Sequence, residues 1–314
     1  MALGPGTSAL TPTMIDPPRL RAREATVRRQ FNTRAARFVQ HDALVREVGR
    51  RLIERFDVIR FTPEQILDVG SGADGARGTL LERFAESEWI GVDSSLAMLR
   101  AAPARPWYRR WRDAAAGRRI THVCADALHL PLADASVDLV FSNLMLHWHP
   151  QPHTVFPEWR RVLATDGLLL FSCFGPDTLA ELRAACERAL PHAAPMPFVD
   201  MHDFGDMMVA AGFANPVMDV ERLTLTYASA SELLHEVSAL GGNPRDDRAP
   251  HLVGTRSARA LHAALDAQRG TDGRIALTFE IAYGHAWKPQ PKTPGAAGIS
   301  LEGLRARLPS RRSG

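Results

Sequence analysis

The chain has 314 residues, is 45% hydrophobic and 23% charged, and carries a formal net charge of +3 at pH 7. That balance is ordinary for a soluble globular protein of one large domain or two smaller ones. No apolar run is long enough to span a bilayer, and the N-terminus lacks the charged-then-apolar layout of a signal peptide.

The first elements read as follows. Residues 1–20 are rich in Gly, Pro, Ser and Thr and are expected to be disordered, and translation could begin at Met14. Residues 21–56 are helical, with Phe31, Ala35, Phe38, Leu44, Val48 and Leu52 at helix-like spacing. Residues 65–69 form a short buried strand, the glycines at 70, 72 and 75 a turn, and 76–86 a helix. A second strand, 88–93, ends in Asp93, and Ser94 or Ser95 caps the helix after it. Residues 101–119 read as an exposed excursion, whose Trp107, Tyr108 and Trp111 have no assigned role. Strands at 120–127, 139–143 and 168–173 follow, with a turn-rich link at 130–138, a helix at 155–163 and a turn at Asp166-Gly167. This cadence predicts an α/β, Rossmann-like, doubly wound and mostly parallel sheet.

The later half changes character. Thr178 is the expected cap of a helix over 179–190, and Gly212 ends a helix over 204–211. Strands at 216–227 and 275–283 frame helices at 229–240 and 257–269. Two late strands without a crossover unit predict an antiparallel edge pair. The organisation expected is a loose segment 1–20, one domain over 21–289 with helical cap elements at 21–60 and about 175–215, and a loose basic tail over 290–314.

Gly70, Gly72 and Gly75 satisfy G-x-G-x-x-G, which alone fits a dinucleotide dehydrogenase, an S-adenosylmethionine (SAM) enzyme or an empty turn. A dehydrogenase needs the turn and one ribose acid. This chain adds Asp68 before the turn, Asp126 after the third strand and Asn143 after the fourth. Ligands of such sheets bind outside the carboxyl ends of the strands. Polar groups at four strand ends suit an ammonium and carboxylate, a ribose and an adenine together, which is SAM. Asp93 stands about twenty residues past the glycines, where a carboxylate accepts both hydroxyls of a ribose. With Ser94, Met98 and Ala127 beside these strand ends, the expected cofactor-binding set is Asp68, Gly70, Gly72, Asp93, Ser94, Met98, Asp126, Ala127 and Asn143.

Asp68-Val69-Gly70-Ser71-Gly72, Asp93, Ala125-Asp126-Ala127 and Asp138-Leu139-Val140 resemble the successive motifs of class I SAM-dependent methyltransferases. The usual third glycine position is Asp74 here. From about residue 21 to 289 the chain further resembles the malonyl-acyl carrier protein O-methyltransferases of biotin synthesis. That likeness is carried by the run from Phe31-Asn32-Thr33-Arg34 to Phe38 with His41, and by Leu144-Met145-Leu146-His147-Trp148. It continues in Phe174-Gly175-Pro176-Asp177-Thr178, Phe198-Val199-Asp200-Met201-His202-Asp203 and Tyr283-Gly284-His285-Ala286-Trp287. The family usually has tyrosine where Phe38 stands.

The resemblance implies methyl transfer from SAM to the free carboxylate of malonyl-acyl carrier protein. A carboxyl with a reference pKa of ~4 is already ionised at neutral pH, so no catalytic base is expected. Arg183 is the candidate for holding that carboxylate by paired hydrogen bonds. Phe38, His41, His147 and Trp148 are the pocket candidates. No acid or cysteine joins His147, His149 and His153, so no metal is expected. The three cysteines, Cys124, Cys173 and Cys186, form no C-x-x-C and are each expected to be small buried groups in a reducing cytoplasm. Arginines crowd residues 19–37, 105–119 and 305–312. They suit an acidic protein partner better than nucleic acid, for which no reader motif is present, and no membrane partner is expected. Two alternatives stay open: a methyltransferase acting on another small acid or a quinone-like ring, and a non-catalytic SAM-fold assembly factor.

Overall fold

The computed structural model describes residues 17–104, 106–115, 117–190, 195–241 and 254–291. Its centre is strand β1 (Gln65–Val69), buried at all but its first residue. Around it stand β2 (Glu88–Asp93), β3 (Ile120–Cys124), β4 (Val137–Asn143), β5 (Leu163–Phe174), β6 (Ala214–Tyr227) and β7 (Ile275–Trp287), in the order β3-β2-β1-β4-β5-β7-β6. Strands β1 to β5 run parallel, and β7 lies antiparallel to both β5 and β6. The predicted mostly parallel sheet with an antiparallel edge pair is therefore present. From β1 the chain builds outwards through β2 and β3, then returns to β4 on the other side. That reversal opens a crevice between β1 and β4 at their carboxyl ends.

Alternating strand residues serve two cores. On one face Ile66, Trp89 and Phe141 pack with Leu44, Val48 and Leu52 of α2 (Ala43–Glu54), which follows α1 (Pro17–Phe38), and with Leu80 of α3 (Arg77–Arg83). On the other, Leu67, Val69 and Val140 pack with Phe156 and Trp159, which belong to the later helix over residues 155–162. Each fully buried side chain of this size contributes about 1.5–3 kcal/mol. Helix α4 (Leu96–Ala101) follows β2, and α5 (Trp107–Ala115) leads into β3. Helix α6 (Val155–Val162) precedes β5, and α7 (Ala180–Ala189) and α8 (Met201–Ala210) follow it. Helices α9 (Ala230–Ala239) and α10 (Thr255–Asp266) lie between β6 and β7. Among the described residues no helix is long and apolar enough to cross a membrane.

Several local expectations are corrected. Helix α1 begins at Pro17, inside the segment read as loose; residues 1–16 and 292–314 lie outside the described residues. The excursion at 101–119 contains helix α5, which exposes Trp107, Tyr108 and Trp111. Buried Asp113 on it pairs with Arg118 at 2.9 Å and turns the chain into β3. Strand β5 starts at Leu163 and carries the Asp166-Gly167 turn within it: Asp166 has φ 62°, its N–H donates to Lys288 O, and Lys288 N–H donates to Gly167 O. Thr178 does not cap α7. Its buried hydroxyl donates to Glu280 O at 2.9 Å and accepts from Glu280 N–H at 3.1 Å, tying the loop to β7. Cys173 and Cys186 are buried, but Cys124 is exposed, because β3 is the edge strand of the sheet.

Candidate functional site

The turn after β1 is shaped by what cannot fit there. Gly70 has φ +77°, and a Cβ on it would lie 2.3 Å from Met145 Cγ. Gly72 has φ +56° and would meet Met98 Cε at 3.2 Å. Both positions exclude a side chain, by sterics and by backbone conformation. Gly75 differs: a Cβ there would make only ordinary contact, with Arg46 Cγ at 3.7 Å. Asp74 takes the left-handed position itself, with φ 61°. Its buried carboxylate pairs with Arg77 and with His122 Nε2, the latter at 2.8 Å, which holds the departure from the usual glycine in place.

Asp93 fixes the other side of the turn. Its Oδ2 accepts the Gly72 N–H at 3.0 Å and its Oδ1 the Ser95 N–H at 2.7 Å. Burial, opposed by those two N–H groups, pushes its pKa up to about 6. Ser95 rather than Ser94 caps α4, accepting the Met98 N–H at 3.2 Å. Asp68 is 2% exposed, and its Oδ2 is buried with no hydrogen-bond partner among the described residues. Burial, with Asp74 and Asp93 adding negative charge, raises its pKa well above the carboxylate range, and Arg77 opposes the rise. A buried carboxyl without a partner is costly unless a ligand supplies one.

These groups border a cavity of about 380 Å³ at the carboxyl ends of β1, β2, β3 and β4. That is within the range of about 300–1,000 Å³ typical of ligand sites. All nine residues expected to bind the cofactor line it: Asp68, Gly70, Gly72, Asp93, Ser94, Met98, Asp126, Ala127 and Asn143. Asn143 has its amide engaged within the fold, donating to Val45 O and accepting from Ser172 Oγ, each at 2.8 Å. It anchors α2 over the strand ends. Asp126 accepts the Leu128 N–H at 3.0 Å, which orders the loop after β3.

Phe38, His147 and Trp148 also line the cavity. Phe31 joins them, edge-on to Trp148 at 5.1 Å and to Phe38 at 6.0 Å. Two expected residues are elsewhere. The His41 ring bonds Glu236 Oε2 at 2.5 Å and does not line the cavity. Arg183 is half-buried on α7, 3.5 Å from Thr178 O, and is also absent from the lining. The reason is packing: α7 lies against α10 and β7 rather than over the strand ends. Among the described residues of the stretch 175–215 none lines the cavity; the cover is α1, with Leu240 after α9.

Helix α1 also supplies residues that the sequence reading passed over. Arg21, Glu24 and Arg28 line the cavity together with Phe31. Their spacing of three, four and three is one helical face, a signal present in the sequence but hidden by the surrounding arginines. Glu24 has its pKa raised, first by burial and then by Asp126, with His129, Arg21 and Arg28 opposing. Met145, packed where a Gly70 side chain would be, was equally unmarked.

The donor set fits an adenosyl sulfonium: an ordered carboxylate for a diol, a partnerless acid for a cationic group and glycines for close approach. Among the described residues no group of three or more His, Cys, Asp or Glu is arranged to hold a metal. Comparison with known proteins agrees. A methyltransferase domain model matches residues 67–171. The malonyl-[acyl-carrier protein] O-methyltransferase of Laribacter hongkongensis is 40% identical over 267 residues, 85% of this chain and 90% of that protein. The protein of the same name from Halorhodospira halophila is 41% identical over 293 residues, 90% of this chain and 95% of its own length. Among solved structures, the YcgJ protein of Bacillus subtilis shares the fold, with a TM-score of 0.53 at 15% identity, over 77% of this chain and 99% of that one. The chain therefore belongs to the malonyl-[acyl-carrier protein] O-methyltransferase family of SAM-dependent methyltransferases.

Proposed function

We propose that the protein methylates the free carboxylate of malonyl-acyl carrier protein, giving the methyl ester used in biotin synthesis. The observation that carries this reading is the reach of the family likeness. It covers 85% and 90% of this chain and 90% and 95% of two relatives' lengths, and so extends well beyond the methyltransferase domain matched at residues 67–171.

SAM, when bound, supplies a methyl group already activated on a sulfonium. The chain's own residues bind, orient and exclude water. Asp93 is placed to accept the ribose hydroxyls, and Asp68 to meet the amino end of the ligand. Phe31, Phe38 and Trp148 make an aromatic wall that keeps water from the reacting atoms. The substrate oxygen is ionised at neutral pH, so no residue has to remove a proton. Transfer of that methyl group to the carboxylate oxygen would form an O–CH3 bond and leave the electron pair of the broken S–CH3 bond on sulfur. Alignment of the three atoms is the main task left to the protein.

The carrier itself is expected to meet α1. Arg21, Arg28, Arg29 and Arg37 are exposed on that helix, and Arg21 and Arg28 also reach the cavity. A cationic cover suits an acidic carrier whose arm must enter beside it. The test is incubation of the purified protein with methyl-labelled SAM and malonyl-acyl carrier protein. Label should appear on the carrier as a base-labile methyl ester. Protein that binds SAM but leaves the carrier unlabelled would contradict the reading.

A further inference from the structure

His147 is the buried titratable group that the preceding account leaves without work. It lies in the short turn Leu146–Trp148 just past β4, is 7% exposed, and lines the cavity. Three aromatic rings hold it, Phe174 at 4.5 Å, Trp148 at 4.9 Å and Phe198 at 5.7 Å. Neither ring nitrogen has a hydrogen-bond partner among the described residues, although both are buried. Packing alone would be served as well by phenylalanine, without stranding an N–H donor and a lone pair. With aromatic rings around it, the cavity is the side from which a partner can come.

We propose that His147, as a neutral imidazole, donates a hydrogen bond to the carboxylate of the bound substrate and aims its other oxygen at the methyl group. This inference rests on the proposed function. Burial holds the imidazole pKa down to about 3, so the ring carries no charge at working pH.

Charge neutrality is the point of the arrangement. The reacting pair is an anion and a cation, and both charges vanish as the methyl group moves. A cation beside the carboxylate would stabilise the starting state more than the transition state and slow the step. A neutral donor fixes the geometry with less of that penalty. The placement of the arginines agrees. Among the described residues the arginines lining the cavity are Arg21 and Arg28, both on α1, where they act on Glu24 near Asp126 rather than at the β4 end. Arg183, the sequence candidate for this role, is outside the lining.

The experiment compares wild type, His147→Phe and His147→Gln. All three should bind S-adenosylhomocysteine with affinities within about twofold and melt at similar temperatures. Misplacing a reacting atom by about 1 Å costs about a hundredfold in rate, so His147→Phe should show a fall in kcat of that order with a smaller change in KM. Glutamine restores a neutral donor and should bring kcat back to within about tenfold of wild type. Wild-type kcat should be flat from about pH 6 to about pH 8, where an ordinary histidine titrates. Full kcat in His147→Phe would overturn the proposal. So would His147→Gln as slow as His147→Phe with both still binding the cofactor product, or a wild-type kcat profile with a histidine ionisation that His147→Gln lacks. If wild type forms no ester at all, the proposed function fails, and this inference falls with it.

Discussion

The N–H groups of Gly72 and Ser95 both donate to the Asp93 carboxylate and fix its orientation beside the cavity. Its raised pKa, about 6, has a consequence for binding. Below about pH 6 the free protein holds a proton on Asp93 that the proposed complex would have to give up, because only the ionised form would accept both ribose hydroxyls and favour a cationic ligand. SAM affinity should therefore weaken as pH falls through about 6, and binding should release protons. Calorimetry in buffers of different ionisation heat reads both; a pH-independent affinity with no proton release would contradict this role for Asp93. Gly70 gives a second residue-scale prediction. Gly70→Ala sets a Cβ against Met145 and forces an L-residue into φ +77°, costing about 1–2 kcal/mol of stability from the backbone alone. The variant should melt lower and lose measurable SAM binding. That Asp93 and Gly70 border the cavity was legible in the sequence, because strand-end acids and a glycine turn are local patterns. The task of Asn143 was not, since its amide partners Val45 and Ser172 are 98 and 29 residues away.

At the scale of elements, α1 forms the cover, and two side chains latch it. Asn32 Oδ1 accepts the Ser95 hydroxyl at 2.7 Å and the Ala97 N–H at 3.3 Å, which ties α1 to the start of α4. Arg34 Nη1 donates to Gly241 O at 2.5 Å, just past α9. Both belong to the motif that carried the family resemblance, and the structure gives them a mechanical reason. Asn32→Ala should leave the sheet intact, weaken SAM binding several-fold and speed hydrogen exchange in α1 selectively. Unchanged protection of α1 would rule out the latch. The helical period of α1 is a local pattern, but these contacts span 63 and 207 residues and leave no local trace. Helix α5 escaped notice for a different reason: Pro103 and Pro106 just before it read as breakers, although neither falls within the helix.

For the whole molecule, hydrophobic period and turn residues were enough to place all seven strands: the central strands β1, β4 and β5 are largely buried and apolar, and the edge strand β6 alternates between partly buried and exposed residues. Their order, and the choice of α1 rather than the 175–215 stretch as the cover, depended on packing between distant segments and could not be read from local pattern. The uneven charge acts at this scale too. Turnover on the carrier-bound substrate should fall steeply as salt rises, while SAM affinity changes little, because screening reaches the exposed arginines of α1 before the enclosed acids. Parallel insensitivity of both would remove the docking role of α1.

The central claim is that acids at the ends of neighbouring parallel strands hold an adenosyl sulfonium in this cavity. A crystal structure with S-adenosylhomocysteine tests it most directly. The expected result is both ribose hydroxyls on the Asp93 carboxylate, the amino end beside Asp68 and the adenine along Ala125-Asp126-Ala127. An adenosyl group bound elsewhere, or one that leaves Asp68 and Asp93 untouched, would contradict it.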